Sequence, residues 1–183
     1  MLTHAVRTLE RSTVLDELAD RVTHAAETLV PQGALRDALH GKQLGHALHP
    51  LLVVAPIGLN LGATVLDLTG DEQDRTAARR LVGAALVSTL PTVASGLSDF
   101  AGLGRRDRQP QRVAVAHAGA NAVASVCFLG SWLARRREHH RTGTFLSMLG
   151  LTGVAVGGYL GGHLSYNLGV GVTRGEGARV ASM

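Results

Sequence analysis

The sequence predicts an all-α fold: a four-span transmembrane helical bundle with an N-terminal amphipathic helix. The first observation is composition, because hydrophobic residues make up 45% of the 183-residue chain and charged residues only 17%, which is little charge for a soluble domain of this size. The second is that four long segments carry almost no charge. The third is that short charged stretches, "DLTGDEQDRTAARR", "GRRDRQPQR" and "RRREHHR", separate these segments, as loops beside membrane helices do.

The first predicted element lies within residues 1–38, which we assign to an amphipathic helical segment. Apolar residues recur there at helical spacing, at Leu15, Leu18, Val22, Ala25 and Leu29. The pattern predicts a helix over 13–30, ended by Pro31 and Gly33. We expect this helix to lie on the membrane surface or to cover the bundle.

The second predicted unit is a four-helix membrane domain over 39–173, followed by a disordered tail over 174–183. Its spans are predicted at about 48–68, 79–100, 112–134 and 143–168, since a span needs roughly 20 mostly apolar residues. A soluble bundle would show a charged face on each helix, and these segments show none. Small residues that let helices pack closely in lipid recur at every fourth position: Ala116, Ala120, Ala124, Gly153, Gly157 and Gly161. Pro56 and Pro91 fall mid-span, where neighbouring helices are expected to satisfy the freed carbonyls.

Ionisable residues occur inside the predicted spans at a common depth. Consecutive spans run in opposite directions, so the starts of the first and third spans and the ends of the second and fourth share one membrane face. Four histidines and one carboxylate fall near that face: His46, His49, Asp99, His117 and His163. Such residues are rare in membrane segments and usually line a site. The alternative for His46 and His49 is capping of a helix start, and for His117 it is a buried hydrogen bond with Asn121.

The residue types at that face indicate a ligand site, because imidazole is a common ligand of haem iron, zinc and copper. The predicted ligands, for b-type haem and for another metal alike, are His46, His49, His117 and His163. Asp99 is expected to orient a ligand imidazole through a hydrogen bond. Arginines expected to pair with the haem carboxylates are Arg105, Arg106 and Arg112. Arg135 is assigned to a loop on the opposite side, and the even distribution of arginines leaves the orientation undecided.

Several function classes find no support in the sequence. Cys127 is the single cysteine, so the chain forms no intrachain disulfide, cysteine-based zinc site or iron–sulfur cluster. The sequence contains no P-loop, nucleophile elbow or paired-carboxylate arrangement, so no catalytic residue is predicted and an enzymatic activity stays open. The pI near 10.2 reflects arginines clustered between apolar runs, so no nucleic-acid partner is expected.

Four stretches resemble the DUF2231 family of predicted membrane proteins: "HGKQLGHALHPLLVVAPIGL", "LPTVASGLSDF", "VAVAHAGANAVA" and "GGYLGGHLSYNLGVGV". The usual opening of the family has the form G-H-P-x-H-P-x-L-x-x-x-P-I-G, and Ala47 stands where its first proline is typical. Positions that match the pattern are His46, His49, Pro50, Pro56, Ile57, Gly58, Asp67, Asp99, His117 and His163. The resemblance covers Leu39 to Val172 and implies a membrane module that, in some members, precedes a Rieske iron–sulfur domain.

These observations lead to three expected functions. The first is a redox-associated membrane subunit that binds b-type haem or another metal and exchanges electrons with a partner, for which the resemblance suggests a Rieske-type protein. The second is a cofactor-free membrane anchor or assembly protein whose polar interior specifies helix pairing. The third is a small transporter or proton relay. In each case we expect a multi-pass protein of the cell membrane, in contact with the lipid bilayer, and association into a homo-oligomer stays open.

Overall fold

The computed structural model of the chain describes residues 2–103 and 107–171 and confirms the all-α fold, with no strand in those ranges. Over residues 2–40, three helices form the N-terminal part: α1 (Leu2–Arg11), α2 (Asp16–Leu29) and α3 (Ala34–His40). The described part of the chain after residue 47 forms the bundle, with α4 (Leu48–Leu52), α5 (Val54–Thr69), α6 (Asp74–Ala101), α7 (Arg108–Arg136), α8 (His140–Gly162) and a π-helical turn (His163–Asn167). The predicted tail over 174–183 lies outside the described residues.

Four of the described helical segments are long and apolar enough to cross a membrane, which confirms the four-span prediction. They are span 1 (Leu48–Thr69, α4 with α5), span 2 (Asp74–Ala101, α6), span 3 (Arg108–Arg136, α7) and span 4 (His140–Asn167, α8 with its turn). Even span 1, with 22 residues, measures about 33 Å at 1.5 Å per residue. The hydrocarbon layer of a bilayer is roughly 30 Å thick, so each span is long enough to cross it.

The four spans pack as a closed ring of antiparallel neighbours. Span 1 packs on span 2, span 2 on span 3, span 3 on span 4, and span 4 on span 1. Spans 1 and 3 therefore run parallel and face each other across the centre. Large apolar side chains stay exposed on the outside of the ring, among them Leu51, Val54, Leu61, Val65, Val87, Leu90, Val123 and Val126. Polar side chains buried in the bundle include Asn60, Thr92, Ser95 and Ser131, a distribution expected of a protein surrounded by lipid.

Span 1 is interrupted at Val53, between α4 and α5. Pro56 causes the break, because its ring lacks an N–H and collides with the carbonyl four residues earlier, that of Leu52. The hydroxyl of Thr92 in α6 donates a hydrogen bond to this Leu52 carbonyl oxygen at 3.3 Å. A neighbouring helix thus satisfies the freed carbonyl, as the low-dielectric surroundings of a span require.

Helices α1 to α3 form a cap over one end of the bundle, the capped end; the opposite end is the open end. Helix α1 packs on span 3, α2 packs on spans 2 and 3, and α3 packs on span 2. Of the two placements predicted for the amphipathic helix, the structure therefore has the one that covers the bundle. Helix α2 buries a row of small residues, Ala19, Thr23 and Ala26, whereas Leu18 and Leu29 of the predicted stripe are 48% and 67% exposed. Leu15 and Val22 of that stripe do pack against the core. The prediction was wrong at Leu18 and Leu29, because small residues let this helix approach the spans closely.

Candidate functional site

The residues predicted for a ligand site separate into two groups in the structure. His49 and His117 face each other between spans 1 and 3. Three other predicted residues contact the cap instead, namely Asp99, Arg112 and His163. His46 is exposed in the segment before span 1. The predicted Arg105 and Arg106 lie outside the described residues.

Each histidine of the facing pair is anchored to the backbone of the following span. The Nδ1 atom of His49 lies 3.0 Å from the carbonyl oxygen of Thr92 in span 2. The Nδ1 atom of His117 lies 2.7 Å from the carbonyl oxygen of Gly157 in span 4. A carbonyl oxygen only accepts, so Nδ1 donates in both rings, and the neutral imidazole then carries its lone pair on Nε2. Metal-binding histidines are commonly oriented by such a hydrogen bond from the other ring nitrogen.

The two rings approach each other closely and at a steep angle. The ring centroids of His49 and His117 are 6.1 Å apart, and the ring planes are inclined by 77°. Both side chains are partly buried. The pair therefore brings two imidazoles from diagonally opposed spans to the centre of the bundle, at the same depth, as their positions in the sequence predicted.

Glycines provide the space that each ring occupies. A Cβ atom added to Gly96 would lie 3.0 Å from Cε1 of His49, and one added to Gly161 would lie 3.0 Å from Cε1 of His117. Any larger residue would crowd the imidazole, because only glycine permits such close approach to the helix backbone. Gly161 belongs to the glycine row that the sequence assigned to helix packing. Its contact is with a histidine ring.

Asn121 lies one helical turn after His117 and packs beside it. Its amide nitrogen donates to the His117 carbonyl oxygen at 2.9 Å and lies 3.3 Å from the ring Nε2. A Cβ atom added to Gly157 would lie 2.7 Å from this amide, so that glycine is required for the fit. The partnership of His117 and Asn121, weighed from the sequence as an alternative to a ligand role, is thus present together with the ring pair.

Asp99 contacts a histidine that the sequence analysis did not single out. Its Oδ1 atom lies 2.7 Å from Nδ1 of His40, at the end of α3, and the side chains are 19% and 26% exposed. Asp99 was expected to orient a ligand imidazole, but the histidine it orients belongs to the cap. Ser95 and Ser98 of the same helix donate to backbone carbonyls of α3 as well. This stretch of span 2 therefore fastens α3.

His163 and Arg112 fasten the other cap helices. Nε2 of His163 lies 2.7 Å from a carboxylate oxygen of Glu10 in α1. Arg112 donates two hydrogen bonds to the Asp16 carboxylate, at 2.6 and 2.8 Å, and a third to the Glu10 carbonyl oxygen at 2.8 Å. The hydrogen bond from Arg112 holds the pKa of the Asp16 carboxyl below its ordinary value, against a smaller opposing effect of desolvation. The arginine predicted to neutralise haem carboxylates thus already has a carboxylate partner.

A buried ion pair joins the same two diagonal spans at the open end. Arg135 of span 3 donates to both carboxylate oxygens of Asp67 in span 1, with one N–O distance of 2.6 Å. The two side chains are 0% and 4% exposed, and Arg135 also donates to Ser131 at 3.1 Å. The assignment of Arg135 to a loop was wrong. Its helical register with His117, Asn121 and Ser131 is the signal that would have placed it inside the bundle.

The donor set at the histidine pair is small. Within residues 2–103 and 107–171, no three His, Cys, Asp or Glu side chains lie close enough together to hold a metal ion. The four predicted histidines therefore do not form one cluster, and His49 and His117 remain as a site with two imidazole donors.

Comparison with known proteins agrees with the architecture. The model of a family described as "Predicted membrane protein (DUF2231)" matches residues 45–174. No curated protein and no solved structure matches the chain. The family match includes all four spans and both facing histidines. The chain therefore belongs to the DUF2231 family of predicted membrane proteins.

Proposed function

We propose that this membrane protein binds a single transition-metal ion between His49 and His117. The observation that carries the proposal is the use of Nδ1 in both rings for a hydrogen bond to a backbone carbonyl. That bond puts the lone pair of each imidazole on Nε2, where a ligand can use it. At His117 the ligand would replace the Asn121 amide, whose nitrogen lies 3.3 Å from Nε2. Imidazole nitrogen is a suitable ligand for zinc, copper, iron and nickel.

The separation of the rings supports an ion of ordinary size. A metal–nitrogen bond is about 2.0 Å long. Two such bonds, together with the radii of the two imidazole rings, place the ring centroids roughly 6 Å apart when the donors lie on opposite sides of the ion. The observed distance between the centroids of His49 and His117 is 6.1 Å. The distance between the rings is therefore that of an ion bound by both, once each Nε2 is directed at it.

A bare ion is favoured over b-type haem by the packing at the capped end. A macrocycle extends several ångströms on every side of its iron. Side chains of α6, α7 and α8 form a buried apolar cluster that begins one helical turn before His117 and includes the residue next to Gly161. Members of this buried apolar cluster are Phe100, Val113, Ala114, Leu160 and Leu164. In addition, Arg112 is bonded to Asp16. Exchange of electrons with a Rieske-type partner stays a prediction from the family resemblance.

The test is metal loading of purified protein that carries an affinity tag without histidine. Protein in detergent is equilibrated with copper, zinc, iron and nickel salts, freed of excess ion, and analysed by mass spectrometry for metal per chain. We expect one ion per chain, and its loss in His49→Gln and in His117→Gln. His46→Gln is the matched control, because His46 is exposed and three residues from His49. Undiminished loading in both interior variants would refute the proposal.

The second candidate is a cofactor-free anchor protein, favoured by the contacts of the remaining predicted residues. Asp99, Arg112 and His163 each bind a residue of the cap, so these polar groups position helices. In this case His49→Gln and His117→Gln would lower the free energy of unfolding without any change in metal content. Parallel unfolding and loading measurements on the same variants separate the two candidates.

A further inference from the structure

The two helical hairpins, spans 1–2 and spans 3–4, hold their histidines in the same way. In the first hairpin the imidazole donates to the carbonyl of Thr92 and lies over Gly96, four residues later. In the second hairpin the imidazole donates to the carbonyl of Gly157 and lies over Gly161, again four residues later. An identical anchoring scheme therefore occurs twice in one chain.

The correspondence follows a constant register. His49 and His117 are 68 residues apart in the sequence, and so are the partners of the ion pair at the other end of the same spans, Asp67 and Arg135. Thr92 and Gly157 are 65 residues apart, as are Gly96 and Gly161. Span 1 thus aligns with span 3 at an offset of 68 residues, and span 2 aligns with span 4 at an offset of 65 residues. The second hairpin is therefore three residues shorter between its two contact positions than the first.

A third contact, far from the histidines, obeys the same offsets. A Cβ atom added to Gly62 would lie 3.5 Å from Cδ1 of Leu81, and one added to Gly130 would lie 3.3 Å from Cδ1 of Leu146. The glycines are 68 residues apart and the leucines 65. The hairpins are therefore structural repeats related by an approximate two-fold axis along the bundle, an arrangement known from parallel repeats in membrane proteins.

The two-fold axis determines what the histidine pair can offer a ligand. Because the axis passes between His49 and His117, it relates the two imidazoles, and each hairpin contributes one Nε2 donor. An imidazole binds a metal ion in its neutral form. The nearby carboxylate of Asp99 is held by His40, and that of Asp67 at the open end is held by Arg135. The site thus presents two imidazole donors, and the carboxylate that lies near it, that of Asp99, is already bonded to His40.

The cost of burying a charge between two neutral ligands favours an ion of low charge. The free energy of moving an ion from water into a low-dielectric interior rises with the square of its charge, so a divalent ion costs roughly four times as much as a monovalent one of the same size. Two neutral nitrogens offset little of the divalent cost. Monovalent ions with a filled d shell, by contrast, accept two ligands in a linear arrangement.

We infer that the repeat-related His49 and His117 bind a monovalent d10 ion, copper(I), in two-coordinate geometry. The inference rests on the proposed function and narrows it to one class of ion. Silver(I) has the same charge, shell and preferred geometry, so it is a redox-stable probe. Cys127 is the competing soft ligand in the chain, because thiolates select copper(I), and all measurements are therefore made in Cys127→Ser.

The first experiment is an anaerobic titration with copper(I) against a chromophoric chelator, run in parallel with silver(I) and with zinc(II). We expect one monovalent ion per chain, bound at least about 100-fold more tightly than zinc(II). His49→Gln and His117→Gln should each weaken binding by more than the roughly 10–100-fold that changes outside the ligand set cost. His46→Gln should leave it unchanged.

The alternative results have distinct meanings. Tight zinc(II) binding that depends on both interior histidines would overturn the inference while the proposed function stands. Absence of any stoichiometric ion would overturn both. Monovalent binding that survives His49→Gln and His117→Gln would also overturn both, since the ion would then lie elsewhere. Circular dichroism and gel filtration of each variant establish that it is folded.

The second experiment tests the equivalence of the two donors. Gly96→Ala and Gly161→Ala each place a methyl group 3.0 Å from one imidazole. We expect both to weaken silver(I) binding, by factors that agree within about threefold, because each displaces one of two equivalent rings. Gly158→Ala is the matched control, since a Cβ atom there has no neighbour within 4 Å in the described part of the chain. A difference of more than about tenfold between the two variants would contradict the two-fold arrangement of the site.

Discussion

Replacement of Asp67 by asparagine is the sharpest test of the interior of the bundle. Asparagine retains the size of the side chain but removes its charge, so Arg135 stays buried without a carboxylate. In the native protein the two side chains are 4% and 0% exposed. After the change, Arg135 keeps its hydrogen bonds to Ser131 at 3.1 Å and Ser147 at 3.4 Å, which are bonds to neutral hydroxyls.

The expected loss follows from burial and charge. Two unit charges about 4 Å apart attract by roughly 4 kcal/mol at an effective dielectric constant near 20. Removal of one partner from a buried ion pair costs about 3–5 kcal/mol. We therefore expect Asp67→Asn to lower the free energy of unfolding by about 3–5 kcal/mol. Combined replacement of Asp67 by Leu and Arg135 by Met should be less harmful than the single change, because no unpaired charge stays buried.

The assay is reversible unfolding in mixed micelles by titration with a denaturing detergent, followed by helical circular dichroism and by fluorescence of Trp132, the single tryptophan. Glu72→Gln is the matched control, since it removes a carboxylate from the exposed pair with Arg75 and should cost about 0–1 kcal/mol. A loss below about 1 kcal/mol for Asp67→Asn would refute the reasoning. So would a double variant that is less stable than the single one.

Three further predictions concern the cap and the centre of span 1. Because Arg112 lowers the pKa of Asp16, this ion pair stabilises the fold fully at pH values above the ordinary carboxyl pKa of 3.8. The stabilisation is lost as the pH falls through the lower pKa of the folded state. Asp16→Asn should therefore reduce the acid dependence of the melting temperature. Asn60→Leu should change the free energy of unfolding by less than about 1 kcal/mol or raise it, since the buried Oδ1 atom has no hydrogen-bond partner among the residues that the structure describes. A large loss of stability in the detergent titration would contradict this. Glu10→Gln should weaken the contact with His163 and increase amide hydrogen exchange in α1 but not in span 4.

The spans could be predicted from the sequence because lipid imposes a simple rule on them. A helix in lipid must be apolar over about 20 residues, so the lack of charge in the four segments was sufficient. The exact residues at which the spans begin and end were less predictable. Span 2 begins at Asp74 rather than near residue 79, since a helix continues through charged residues once it leaves the hydrocarbon.

The depth of the site residues could also be predicted, but not their partners. Alternating span directions placed His49 and His117 at one level, and the structure brings them together. The partners of Asp99 and His163 come from the cap, from His40 and Glu10. Contacts between a short cap helix and a span depend on the path of the connecting loops, and helical periodicity contains no information about that path.

An equal spacing of polar residues on spans 1 and 3 is visible in the sequence and predicts both the position of Arg135 and the repeat. Arg135 lies in register with His117 on span 3, and Asp67 lies in register with His49 on span 1. Both intervals are 18 residues, about 27 Å of helix at 1.5 Å per residue. Two helices with polar residues at equal intervals favour parallel pairing across a bundle. The two hairpins share few identical residues at corresponding positions, so the repeat is recognised from their matching contacts.

The most direct test of the histidine site is X-ray absorption spectroscopy at the copper edge, on Cys127→Ser protein loaded with one equivalent of copper(I). We expect a linear two-coordinate ion with two nitrogen ligands and the outer-shell scattering of two imidazole rings, from His49 and His117. A spectrum with three or four ligands, or with fewer than two imidazoles, would contradict it.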